Sequence, residues 1–92
     1  MPTFKKVEVV DARQFTGGVD QGMQLVMWIE GYGYEGWWSE ENKDIQWEEQ
    51  IRVGPTNGRK RSAYIGDWIV HHQDGEFSVM RPQELKEQYE QV

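Results

Sequence analysis

Apolar and polar positions alternate along residues 5–15, where Val7 and Val9 share one side before the register slips at Val10, Ala12 and Phe15. That pattern predicts a first strand with a bulge or bend. Thr16-Gly17-Gly18 interrupts it, and Asp20 is placed to cap a helix over residues 21–30, which Gly31 and Gly33 can end. Met23, Val26, Met27 and Glu30 form one stripe of that helix, widened by Leu25, Trp28 and Ile29, as expected of a helix packed across a sheet. Residues 34–42 mix aromatics, Gly36 and acids, and read as a loop or a short edge strand. Over residues 44–53, Ile45 and Trp47 alternate with Gln46 and Glu48, and Ile51 and Val53 flank Arg52, which predicts a strand bulged at Glu49-Gln50 that keeps both halves facing inward.

Punctuation is clearest in the second half. Gly54-Pro55-Thr56-Asn57-Gly58 is a hairpin turn composition, and residues 59–65 should return as the partner strand. Gly66-Asp67 makes a corner, with the Asp67 carboxylate available to backbone N–H groups. Residues 68–72 and 77–80 then form a hairpin about Asp74-Gly75. A two-residue turn there pairs Val70 with Val79 and His72 with Phe77 on one face, and Ile69 with Met80 and His71 with Ser78 on the other. Pro82 opens a short final helix, with Glu84 near its positive end and Leu85 and Tyr89 one turn apart for docking. The predicted fold is α+β. It is a single small domain over residues 1–92, with a mostly antiparallel sheet of four to five strands, a helix after strand 1 and a short C-terminal helix, both on the concave face.

At 92 residues, stability must rest on a few large side chains, and five Trp, four Tyr and three Phe supply them. The absence of cysteine excludes disulfides, thiolate metal sites and cysteine nucleophiles and points to a reducing compartment. The residues after Met1 lack an apolar leader and no apolar run is long enough to span a membrane, so a soluble, cytoplasmic protein without membrane contact is expected. A net charge of −6 argues against a general nucleic-acid coat.

The ending is similar to a pattern in small uncharacterised phage and prophage accessory proteins. It consists of Gly66-Asp67-Trp68-Ile69-Val70, Asp74-Gly75-Glu76-Phe77, Pro82 and Tyr89-Glu90, and it covers residues 62–92. The opening resembles the same family through Phe15-Thr16-Gly17 and the helical Trp28. Membership implies a phage protein made in the host cytoplasm, and it implies no catalytic residue.

No catalytic template is met. Gly17-Gly18 lacks the Lys-Ser/Thr of a phosphate loop, and Thr16, Ser39, Ser62 and Ser78 lack the setting of a nucleophile elbow. His71 and His72 point to opposite faces of a strand and cannot share one ion. Asp67, Asp74 and Glu76 are accounted for by turns and solvent. A non-enzymatic protein without metal or cofactor is therefore expected.

Two surfaces carry candidate chemistry. Between residues 30 and 49, Glu30, Glu35, Glu40, Glu41, Asp44, Glu48 and Glu49 oppose only Lys43 and are interleaved with Tyr32, Tyr34, Trp37 and Trp38. Aromatic anchors inside a charged rim suit a protein interface, with Tyr34, Trp37, Trp38, Glu40, Glu41 and Glu48 as its residues and a host or phage protein as the partner. A strand would send Trp37 and Trp38 to opposite faces, leaving one exposed. Alternatively, Arg52, Arg59, Lys60 and Arg61 gather at one hairpin end and could contact phosphates while Trp47 or Tyr64 stacks on bases. A third reading has the acids imitate a nucleic-acid backbone and occupy a host protein's DNA site. An exposed strand also leaves a homodimer open.

Overall fold

The computed structural model describes residues 8–91. The elements, in chain order, are β1 (Asp11–Gln14), α1 (Val19–Glu30), β2 (Glu35–Ser39), a 3-10 turn (Lys43–Ile45), β3 (Gln50–Gly54), β4 (Arg61–Tyr64), β5 (Trp68–His71), β6 (Phe77–Met80) and α2 (Pro82–Gln88). The α+β class holds, with a helix after the first strand and one near the end. Among the described residues, however, the strands form two antiparallel sheets of three, β1-β5-β6 and β2-β3-β4, in place of one sheet of four or five. Alternation predicts which side chains share a face, and it carries no information on where one sheet stops and another begins. The two sheets meet where β4 lies beside β6.

The main core lies between α1 and the inner faces of both sheets. Leu25, Val26 and Ile29 of α1 pack with Phe15, Ile51, Val53, Ala63 and Ile69, and Trp28, Tyr34, Trp38, Phe77 and Val79 close its margins. Gly22 decides how near α1 can come to β2, since a Cβ there would stand only 2.3 Å from the Trp38 ring. Around Trp28 the core turns aromatic: its ring meets Phe77 edge-on at 5.1 Å, and the Arg13 guanidinium covers it at 4.2 Å.

The helices lie on opposite faces of the β1-β5-β6 sheet, not together on one concave face. Trp28 of α1 meets His71 and Phe77, whereas Leu85 and Tyr89 of α2 lie with Val10, Ala12 and Trp68, which alternate with the first set along their strands. Val70 is fully buried on this second face. Here His72 bridges two distant segments, its Nδ1 standing 2.8 Å from Glu8 Oε1 and its Nε2 2.7 Å from Ser78 Oγ. Tyr89 donates its hydroxyl to the same carboxylate at 3.5 Å. Burial first, and the Glu8 charge and hydrogen bond next, hold the Tyr89 pKa above the ordinary 10.0.

Several local expectations are corrected. Of the strand predicted over residues 5–15, residues 5–7, Val7 among them, lie outside the described residues; from residue 8 onward the strand is β1, and Val9 is exposed. The helix begins at Val19 with Gly18 as its N-cap, so Asp20 sits inside the first turn, favourably placed against the helix dipole but not capping it. The Glu49 carboxylate accepts the Gly18 N–H at 2.7 Å instead. The expected strand over residues 44–53 starts only at Gln50, and β4 ends at Tyr64, leaving Ile65 exposed.

The closing hairpin forms where expected but one residue out of register. His71 faces Phe77, Val70 faces Ser78, Ile69 faces Val79 and Trp68 faces Met80. His72 N–H donates to Glu76, and Gly75 N–H to His72, so the loop holds three residues, Gln73-Asp74-Gly75, not two. Gly75 at φ 93° is the left-handed residue that ends such a loop, so one glycine satisfies both turn types and composition alone does not choose between them. No helix among the described residues is long and apolar enough to cross a membrane.

Candidate functional site

The β2-β3-β4 sheet has one face against α1 and one that no other strand or α-helix among the described residues covers. Gly36 and Trp38 turn inward with Ile51, Val53 and Ala63; Trp37 and Ser39 turn to the other side with Arg52, Ser62, Tyr64 and Gln50, the last of which is buried beside residues 46–48. The two tryptophans therefore part company as the strand alternation requires. Trp37 is 59% exposed, while Trp38 packs on the core and donates its indole N–H to Glu49 at 2.9 Å. Tyr34 also turns to the core, its ring 5.2 Å from Phe77.

Residues 40–49 make a closed excursion from this sheet. Asn42 and Trp47 exchange both backbone hydrogen bonds at 2.8 Å, and the Asn42 side chain accepts the Asp44 N–H at 3.1 Å, which caps the short 3-10 turn. Gln46 at φ 54° reverses the chain, and the Trp47 indole N–H donates to Ser39 Oγ. Ile45 is consequently thrown outward and is 66% exposed, against the expectation that it faces inward with Trp47.

A hollow of about 610 Å³ results, with Trp37, Ile45 and Trp47 in its walls and Glu40, Glu41 and Asp44 about them. Glu40 and Glu41, predicted from the sequence, belong to it, as does Asp44, counted there among the acids of this stretch; Ser39 joins them by alternation from Trp37 along β2, and Ile45 was missed because it is brought there by the reversal at Gln46. Glu48 is exposed but lies in a neighbouring hollow of about 520 Å³ with Trp47, Gln50, Arg52, Ser62 and Tyr64. There Ser62 donates to Gln50 at 2.8 Å and Gln50 to the Glu48 carbonyl at 3.0 Å.

The predicted basic cluster is divided. Arg52 stands on the uncovered face opposite Trp37. Lys60 pairs with Glu35 at 2.8 Å and donates to the Pro55 carbonyl at 2.8 Å. Arg59 and Arg61 are exposed and line a separate hollow on the β6 side, together with Arg81, which the sequence reading left out.

The carboxylate, imidazole and hydroxyl of Glu8, His72 and Ser78 stand in the order of a proton relay, and their place in the fold explains them as a clasp. The apolar hollow on that face is walled by Val10, Ala12, Trp68, Leu85 and Tyr89, without Ser78. Alternation from the His72-Glu76 hydrogen bond commits the Ser78 N–H to the ladder, so it is no oxyanion donor. Among the described residues, no group of three His, Asp or Glu could hold a metal ion. Compared with protein-family models, curated proteins and solved structures, the chain matches none.

Proposed function

We propose that the chain is a non-catalytic accessory protein of the phage type that binds a partner protein through the uncovered face of the β2-β3-β4 sheet, with Trp37 as its anchor. The observation that carries this reading is the exposure of Trp37 and Ile45 in the walls of one hollow, with Glu40, Glu41 and Asp44 around it. An exposed ring with three carboxylates about it against the single Lys43 favours a cationic, partly apolar segment: Arg or Lys can lie over the indole while its charge meets the acids. The partner is therefore expected to present a basic patch.

Titration with Arg- and Lys-rich peptides, followed through the Trp37 indole N–H signal, tests this. Saturable binding should weaken with salt and disappear in Trp37→Ala and in Glu40→Lys/Glu41→Lys, with the melting temperature unchanged. Equal response to basic and neutral peptides would overturn the reading.

A second reading has a specific observation behind it. Arg52, Trp47 and Tyr64 share one hollow of the same face, an arrangement on which single-stranded nucleic acid could stack. A salt-sensitive oligonucleotide shift abolished by Arg52→Glu, and not weakened by Glu40→Lys/Glu41→Lys, would support it.

A further inference from the structure

Arg59, Arg61 and Arg81 line one hollow of about 370 Å³ at the seam where β4 runs beside β6 and α2 begins. The first two arrive with β4 and its leading loop, the third from the junction of β6 and α2, so only the folded chain brings them together. None of the three has an ion-pair partner among the described residues. That is notable in a chain where 16 carboxylates face ten Lys and Arg.

The carboxylates nearest at hand are already engaged. Asp67 is buried and accepts the Tyr64 N–H at 2.9 Å, and Glu84 accepts the Arg81 N–H at 3.4 Å. Lys60, also in the wall, is held by Glu35. What the hollow offers a visitor is thus three arginines without ion-pair partners among the described residues, set against the carboxylates of Asp67 and Glu84, and each guanidinium is a planar fork of donors matched to two oxygens of a phosphate.

We propose that this hollow binds a small phosphate-bearing anion through Arg59, Arg61 and Arg81. Its volume falls in the range of small-molecule sites. No aromatic ring lines it, so nothing there would stack a base, and recognition rests on the phosphate oxygens. The site is separate from Trp37, and its fate is independent of the protein-binding reading.

Inorganic phosphate and pyrophosphate, titrated into the full chain at low salt, test the proposal through the arginine side-chain Nε–H signals. Saturable shifts are expected at Arg59, Arg61 and Arg81, while Arg52 and the Asp11-paired Arg13 stay in place. Arg61→Gln and Arg81→Gln should each weaken pyrophosphate by about tenfold, the effect of losing one charge-assisted contact. A 5′-mononucleotide that binds as pyrophosphate does would identify a nucleotide's phosphates as an acceptable source; weaker binding would restrict the site to free phosphates. Absence of saturation, or equal shifts at all arginines, would overturn the proposal. So would an oligonucleotide that binds far more tightly than its mononucleotide and depends on Arg52. Arg59 and Arg61 are exposed, so Arg59→Gln and Arg61→Gln decide the matter should Arg81→Gln disturb α2.

Discussion

Trp38 lies against Gly22, so close that a methyl group on that glycine would stand 2.3 Å from the ring carbon Cδ1. The helix and the edge strand β2 are set at the distance of a bare backbone from an indole face.

Gly22→Ala should therefore destabilise the protein even though alanine is the better helix former. The propensity gain of about 1 kcal/mol is outweighed by overpacking of about 1–3 kcal/mol, because the obstacle is a wedged ring and not a flexible tip. Urea unfolding of the variant should show a lower midpoint, and Gly22→Ala combined with Trp38→Phe should recover part of the loss.

The neighbouring tryptophans should behave oppositely. Trp38→Ala removes a ring from the core margin and is expected to cost about 3 kcal/mol, whereas Trp37→Ala should stay within about 0.5 kcal/mol. Thermal denaturation of the two variants side by side measures the contrast, and a comparable loss at Trp37 would return that ring to the framework.

Glu49, counted in the sequence among the surface acids, accepts the Gly18 N–H at 2.7 Å and the Trp38 N–H at 2.9 Å through one oxygen. Glu49→Ala should cost about 1 kcal/mol, chiefly by leaving the part-buried Trp38 N–H without its acceptor, since the exposed Gly18 N–H can turn to water. Glu49→Gln, which keeps a carbonyl oxygen, should cost less. Hydrogen exchange at the Gly18 amide reports the local opening directly.

Tyr89 couples the final helix to pH. Its folded pKa is raised above 10.0, so in alkali the folded chain still holds a proton that the unfolded chain has released. Stability should accordingly fall as the pH rises from about 9 upward through the folded value, and Tyr89→Phe should flatten that decline. Unfolding midpoints of parent and variant across this range provide the check.

What the sequence makes legible is what short-range chemistry determines. Pro82, the Asp74-Gly75 turn and the Asp67 corner all stand where their residue types place them, because each needs only its immediate neighbours. The hairpin register escaped by one position because Gly75 serves a three-residue loop as well as a two-residue one. The exposure of one of Trp37 and Trp38 followed from strand alternation, but which one depended on where α1 lands. Residues 40–49 were opaque for a different reason. Gln46 adopts a left-handed backbone that its side chain does not advertise, and that reversal, together with the Asn42 cap, turns an apparent strand into a closed loop.

The hydrogen bond from Trp38 to Glu49 joins residues 11 positions apart, and both are fastened to α1, one at Gly22 and the other at Gly18. Everything between them hangs outside the core from two fixed posts. Such a segment can be exchanged for another of different length and chemistry while the scaffold keeps its shape. Most of the acidic hollow's wall is carried by that segment and only Trp37 by β2 before it, so under the proposed function its chemistry could change with little cost to the fold.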